Sequence, residues 1–157
     1  MNAWSKITLL ALVTATLVAT SCRKIEEFPP EPEIEFVDFL QFGADSAQLI
    51  FAFTDGDGDI GLRDKDTIAP YDYNVFLTYY EMENGVWITP VLSTPFWYRV
   101  PMLRDRDSDK ALQGDINVDL SPFYARPGAD TIRYDVVLRD RALNESNRIT
   151  TPNILVP

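Results

Sequence analysis

From residue 34 to the C-terminus, apolar and polar positions alternate in short runs. Alternation with a period of two places successive side chains on opposite faces of a strand, whereas a helix needs apolar positions three or four apart. The runs are rich in aromatic and β-branched residues, and turn-forming residues separate them. The pattern predicts eight strands, at residues 34–42, 47–54, 73–82, 86–89, 96–103, 112–120, 131–138 and 149–156.

Two local patterns support this reading. Ile116, Val118 and Leu120 alternate with polar residues, and Asn84-Gly85 joins two apolar runs as a tight hairpin turn would. Eight short strands in residues 34–157 fit one all-β domain, an antiparallel β-sandwich of the Ig-like or fibronectin type III-like kind.

The C-terminal segment strengthens this fold prediction. Residues 134–147, YDVVLRDRALNESN, resemble the last hairpin of many bacterial Ig-like domains, in which an alternating strand runs into a turn before the final strand. The resemblance implies a fold and not an activity, because one fold hosts many functions.

The N-terminus has the pattern of a signal peptide. Lys6 precedes an apolar run at residues 7–19 that is shorter than the roughly 20 residues of a membrane-spanning helix. Residues 19–22, ATSC, resemble the bacterial lipobox, which implies removal of residues 1–21 and covalent lipid on Cys22. The alternative is an ordinary secretory signal followed by an incidental cysteine.

The residues after Cys22 predict where the domain is held. Residues 22–27, CRKIEE, resemble the surface-export signal of Bacteroidetes lipoproteins, which implies a lipid anchor in the outer membrane and exposure on the cell surface rather than the periplasmic face. Residues 28–33, FPPEPE, are rich in proline and glutamate. We therefore expect residues 22–33 to form an extended tether and the domain to occupy residues 34–157.

Composition excludes several kinds of chemistry. The chain contains no histidine and one cysteine, which rules out a Ser-His-Asp triad and a His/Cys zinc site. Its net charge of −10 disfavours nucleic acid and favours divalent cations or basic partners. Because no pair of carboxylates carries a catalytic signature, we expect no catalytic residues and no enzyme.

Residues 55–66, DGDGDIGLRDKD, carry the strongest chemical signal. This run resembles the first half of an EF-hand or dockerin loop, and the motif DGDGDIG resembles an element of uncharacterised Bacteroidetes lipoproteins. Ile60 stands where an EF-hand has glycine, and no flanking helices are predicted. The resemblance implies cation ligands at Asp55, Asp57 and Asp59, at the carbonyl of Gly61, and at Asp66.

We expect the cation to be calcium, because calcium accepts six to eight oxygen ligands in irregular geometry. In an Ig-like sandwich, loops 55–72, 104–110 and 139–148 would lie at one end, which would bring Asp140 and Asn144 to the same site. The alternatives are a solvated Asp/Gly turn and, for the arginine-containing loops, ordinary surface ion pairs.

Two further surface features are predicted. Alternation in Phe96-Trp97-Tyr98 turns one ring outward, and Trp97 is the candidate contact for a partner. Three triplets resemble the Bacteroidetes O-glycosylation motif, with acceptors at Ser46, Thr67 and Thr131, although each also fits a turn that enters a strand.

Together these features predict a lipid-anchored accessory or assembly subunit that docks on an outer-membrane protein and is stabilised by calcium. It would contact the membrane through its lipid alone and would not bind nucleic acid. The alternative is a surface glycan-binding lipoprotein of a polysaccharide-uptake system, which should expose two or more coplanar aromatic rings.

Overall fold

The structure, a computed structural model, describes residues 28–102 and 111–157. The predicted signal peptide, Cys22 and the whole of the predicted loop at residues 104–110 lie outside these ranges. Within them the chain forms nine strands and no helix. The strands are β1 (Glu33–Gln41), β2 (Ala47–Asp55), β3 (Val75–Glu83), β4 (Val86–Ile88), β5 (Phe96–Tyr98), β6 (Leu112–Leu120), β7 (Thr131–Leu138), β8 (Ile149–Thr150) and β9 (Ile154–Leu155).

The strands form two antiparallel sheets. One sheet has the order β1-β2-β6. In the other, β3 and β7 pair at the centre, β4 and β5 pair with different halves of β3, and β8 and β9 pair with different halves of β7. This order corresponds to strands A-B-E and C′-C-F-G of an Ig-like sandwich. The predicted fold class is confirmed, and the last predicted strand is divided into β8 and β9.

The core lies between the two sheets and is built by alternation. Leu49, Phe51 and Phe53 of β2 point inward, as do Tyr134 and Val136 of β7, and all five are buried in one cluster. Full burial of a large apolar side chain stabilises a fold by about 1.5–3 kcal/mol, so this face drives the association of the sheets.

β1 changes its inward face partway along. Its pairing with β2 shifts register between Phe36 and Asp38, which is the signature of a β-bulge. Ile34 and Phe36 face inward before the bulge, and Phe39 packs against the core after it. The bulge explains why the apolar pattern of this strand does not alternate strictly.

Two turns fix the strand connections. Asn84 and Gly85 have φ values of 50° and 80°, the positive φ that a type I′ hairpin turn requires, which confirms the hairpin predicted from Asn-Gly. At the corner between β6 and β7, the buried hydroxyl of Tyr134 donates a hydrogen bond to the carbonyl of Phe123. This contact has the form of the tyrosine corner of Ig-like sandwiches.

Candidate metal centre

Two carboxylates continue the inward-facing positions of two core strands. Asp55 follows Phe51 and Phe53 at alternate positions of β2, and Asp140 follows Leu138 in the inward register of β7. Asp55 is 0% exposed and Asp140 is 1% exposed. Because β2 and β7 belong to different sheets, these two aspartates lie where the sheets meet at one end of the sandwich.

Asp55, Asp57 and Asp59 form a cluster of acids at this end. Each offers a carboxylate oxygen, and these oxygens lie within 4.8 Å of one another. The loop curls back on itself, because Ile60 N–H donates a hydrogen bond to Asp55 Oδ2 at 3.1 Å. Asp55 Oδ1 and Asp57 Oδ1 are buried and have no hydrogen-bond partner among the described residues.

Glu81 shows how a buried carboxylate is otherwise satisfied in this fold. It occupies an inward position of β3 and is 2% exposed. Tyr79 OH donates a hydrogen bond to it at 2.9 Å, and Arg126 forms an ion pair with it. A buried polar group without a partner is costly. The unpaired oxygens of the acid cluster therefore require another explanation, and a bound cation supplies one.

The acid cluster disfavours its own ionised form. Burial raises the pKa of Asp55 to about 7, the charges of Asp57 and Asp59 add to the effect, and the Ile60 hydrogen bond opposes it. The pKa of Asp59 is also raised, first by burial and then by the neighbouring charges of Asp140 and Asp57. A cation bound between these groups would restore the charged form that a hard metal ion needs.

Asp59 joins the acid cluster to the loop between β7 and β8. Its carboxylate accepts hydrogen bonds from the backbone N–H groups of Arg141 at 3.3 Å and Ala142 at 3.0 Å. The predicted convergence of loops 55–72 and 139–148 is therefore confirmed. The third loop predicted at this end, residues 104–110, lies outside the described part of the chain.

Asp140 lies beside the cluster, and Asn144 contacts Asp140. Asn144 donates its backbone N–H to Asp140 Oδ1 and its side-chain amide to Asp140 Oδ2, both at 2.8 Å. Asp140 is close enough to Asp59 for its charge to raise the pKa of Asp59. The geometry therefore makes Asp140 an additional candidate ligand, while the Asn144 amide holds Asp140 in place.

Two residues of the EF-hand-like pattern have hydrogen-bond partners of their own. The carbonyl of Gly61 accepts a hydrogen bond from the Arg141 guanidinium at 3.1 Å. Asp66 Oδ2 accepts the N–H of Arg63 at 2.9 Å, and its carbonyl accepts a hydrogen bond from Arg99 at 2.5 Å. Asp66 thus closes its own turn. Of the carboxylates in the EF-hand-like pattern, Asp55, Asp57 and Asp59 are the ones that cluster.

Several residues that shape this end of the molecule were not predicted from the sequence. Arg141 places its guanidinium beside the loop, and its positive charge partly opposes the rise in the pKa of Asp59 that burial causes. Gly56 N–H donates a hydrogen bond to the carbonyl of Pro29 at 2.7 Å. Asn147 exchanges two hydrogen bonds with the backbone of Ile34, both at 2.8 Å. These contacts join distant parts of the sequence, so local spacing carries no signal for them.

A second feature lies on the outer face of the sheet that contains β3 and β7. Trp97 is 45% exposed, whereas its neighbours Phe96 and Tyr98 pack against the core, as the alternation predicted. The Trp97 ring meets Phe76 at 5.6 Å between ring centroids and Tyr73 at 5.9 Å. The Arg139 guanidinium lies 4.6 Å from the centre of the Phe76 ring. We call Tyr73, Phe76, Trp97 and Arg139 the aromatic face.

The three predicted O-glycosylation acceptors have different surroundings. Thr67 lies on an exposed part of the loop between β2 and β3. The Ser46 hydroxyl, in the turn before β2, donates a hydrogen bond to Asp45. Thr131 opens β7 and pairs with Leu155 of β9. Modification of these residues stays a prediction.

Among residues 28–102 and 111–157, no helix is long and apolar enough to cross a membrane. No family model matches the chain, and neither a curated protein nor a solved structure matches it. The acid cluster and the aromatic face are therefore the features of the domain that bear on its function.

Proposed function

We propose that the domain binds calcium at Asp55, Asp57 and Asp59, with Asp140 at the edge of the site. The observation that carries this proposal is the unpaired Oδ1 of Asp55, an oxygen of a fully buried carboxylate beside two other carboxylates. All side-chain donors are oxygens, which suits a hard cation. Calcium fits an irregular loop better than magnesium does, because magnesium demands near-octahedral geometry.

The proposed calcium ion stabilises the junction of the two sheets. It neutralises carboxylates at the end of β2 in one sheet. Asp59, one of these carboxylates, also accepts backbone N–H groups of the loop that follows β7 in the other sheet, so a bound ion fixes that loop as well. A ligand that binds only the native state stabilises it by RT ln(1 + [L]/Kd). The cation has a structural role here, and it holds two loops in one arrangement.

We further propose that the domain is a lipid-anchored accessory or assembly subunit that docks on an outer-membrane protein. Lipid on Cys22 would anchor it to the cell surface, as the sequence of the N-terminus predicts. The aromatic face supports docking, because exposed Trp, Tyr and Arg side chains are enriched among the residues that dominate protein–protein affinity.

The same face gives less support to glycan binding. The Trp97 ring crosses Tyr73 at 62° and Phe76 at 75°, so these rings do not form the flat platform on which a sugar would stack. We propose no enzyme activity, because the sequence carries no catalytic signature. A cleft of about 530 Å³ between residues 91–98 and 121–126 is lined by apolar, hydroxyl and tyrosine side chains and by Arg126, and the described residues that line it include no carboxylate.

The docking proposal is tested by recovering the tagged full chain from its native membrane with bound proteins intact. Trp97→Ala is compared with Leu155→Ala, which removes another exposed apolar side chain from a distant edge strand. We expect wild type and Leu155→Ala to recover the same partner in comparable amounts and Trp97→Ala to recover much less. Equal recovery by all three proteins would contradict docking through the aromatic face.

A further inference from the structure

We propose that the cation site also acts as a clamp on the N-terminal segment, which we define as residues 28–32, so that cation binding fixes the chain where it enters the domain. The inference rests on the proposed cation binding and goes beyond it, because it makes the position of this segment depend on the occupancy of the site. It joins the acid cluster to the end of the predicted extended tether, residues 22–33.

The first contact of the clamp lies inside the acid cluster. Gly56, between Asp55 and Asp57, donates its N–H to the carbonyl of Pro29 at 2.7 Å. The donor that holds the N-terminal segment is therefore flanked on both sides by proposed cation ligands. Any change in the backbone that reorients these two carboxylates also reorients the Gly56 N–H.

The approach of the two backbones is too close for a side chain. A Cβ atom added at Gly56 would overlap the carbonyl oxygen of Phe28 and would lie 2.5 Å from that of Pro29. Both obstacles are main-chain atoms, which cannot move aside as a flexible side chain can. Glycine at position 56 is thus explained by the N-terminal segment packed against it.

The second contact comes from the other loop at this end. The Asn147 side chain accepts the N–H of Ile34 and donates to its carbonyl, both at 2.8 Å. Pro32 is buried just before this point. The N-terminal segment and the first residues of β1 are therefore held by both loops that Asp59 joins.

The coupling has a direct physical cause. Without a cation, repulsion among the three carboxylates favours a loop in which they separate, and Gly56 then leaves its position opposite Pro29. With a cation bound, the carboxylates are held together and Gly56 is fixed. Coupling of this kind is reciprocal, so docking of the N-terminal segment raises the affinity for the cation by the same factor. If Cys22 carries lipid, occupancy of the site also limits how freely the domain moves relative to its anchor.

Amide hydrogen exchange tests the clamp in the full chain, purified in detergent, with calcium chloride as the probe. In wild type we expect calcium to slow exchange of peptides covering residues 28–36 by roughly two- to tenfold, the effect of about one hydrogen bond. Pro29, Pro30 and Pro32 have no N–H, so the exchange is read at residues 31 and 33–36, which the Gly56 and Asn147 contacts hold in place. The slowing should follow the calcium concentration with the same midpoint as calcium binding measured by calorimetry. Calcium binding without slower exchange in this segment would overturn the clamp and leave the proposed cation site intact. Absence of calcium binding would overturn both.

The variant Gly56→Ala separates the clamp from the site, since it keeps every carboxylate. We expect it to bind calcium with an affinity lower by the same two- to tenfold factor and to show no calcium-dependent slowing at residues 28–36. Gly114→Ala is the matched control, because an added Cβ there meets only ordinary contact with Phe53. If Gly56→Ala binds calcium and still slows exchange as wild type does, the clamp is refuted. If this variant fails to fold, the wild-type titration alone decides.

Discussion

The carboxylate of Asp59 accepts a hydrogen bond from the backbone N–H of Ala142 at 3.0 Å, although 83 residues separate them. This contact joins the loop that leaves one sheet to the loop that leaves the other. The carboxylates of the acid cluster are therefore of two kinds, which differ in whether they bind the second loop. Asp59 supports the fold directly by holding backbone donors, whereas Asp55 and Asp57 carry buried oxygens that have no hydrogen-bond partner among the described residues.

The first prediction separates these two kinds. In chelator, Asp57→Asn should leave the free energy of unfolding unchanged or raise it by up to about 1 kcal/mol, because it removes charge repulsion. Asp59→Asn should lower it by about 1–3 kcal/mol, because an NH₂ group replaces one oxygen that accepts a backbone N–H. Urea denaturation of both variants measures the difference. Equal losses of stability in the two would show that the division is wrong.

The second prediction concerns pH in the absence of calcium. Burial raises the pKa of Asp55 from its usual 3.8 to about 7, so between these values the folded protein holds a proton that the unfolded chain has released. The free energy of unfolding should therefore fall as pH rises from about 4 to about 7 and change little from this group above that.

The measurement is urea denaturation in chelator at about pH 5 and about pH 8. Asp55→Asn is the control, and its stability should vary less across this window because it lacks the titrating group. Calcium affinity of wild type should fall by up to about tenfold for each pH unit below 7, since a ligand must lose its proton to bind metal. A wild type and an Asp55→Asn variant with the same pH dependence would contradict burial of an ionisable group at this site.

The third prediction concerns the aromatic face. Trp97→Ala should lower the free energy of unfolding by only about 1–2 kcal/mol, because the ring is 45% exposed and gives up two edge-to-face contacts. Phe96→Ala, one residue away, should lower it by about 3–5 kcal/mol, because that ring packs against Tyr79 and Tyr134 in the core. Thermal and urea unfolding of the two variants measure the contrast. A loss as large for Trp97 as for Phe96 would make Trp97 a core residue.

The fourth prediction concerns Cys22, which lies outside the described residues. Cys22→Ala should leave the protein unprocessed or release it from the membrane fraction, because the lipid-bearing residue is gone. Fractionation with mass spectrometry of the N-terminus is the measurement. Normal membrane retention and an unchanged mature N-terminus in the variant would exclude the lipid anchor.

Much of the fold follows from local sequence pattern. Alternation in β6 and β7 defines strands and their inward faces, the apolar run of β2 defines a strand, and Asn84-Gly85 defines a turn, because each depends on a few neighbouring residues. The bulge in β1 and the division of the last strand depend on pairing with distant strands. Short-range alternation does not contain that information.

The acid cluster was predictable in part for the same reason. Asp55, Asp57 and Asp59 are close in sequence, and their spacing alone gathers their carboxylates. The inward registers of β2 and β7 also carry Asp55 and Asp140 to one end, which is a signal that simple motif matching does not use. Asp66 was assigned to the site by analogy with an EF-hand, yet Arg63 and Arg99 hold it in a separate turn. A local turn and one long-range hydrogen bond from Arg99 fix its position, and the linear motif did not reveal them.

Calcium binding by the acid cluster, and the stabilisation of the sandwich that follows from it, can be measured together. The most direct measurement is calorimetric titration of the full chain with calcium, paired with thermal unfolding in chelator and in calcium. We expect one site, with stabilisation that rises with calcium as RT ln(1 + [L]/Kd), about 2.7 kcal/mol at a hundredfold excess over Kd. Asp57→Asn should lose most of this response. No heat of binding, together with the same thermal midpoint in chelator and in millimolar calcium, would contradict the account.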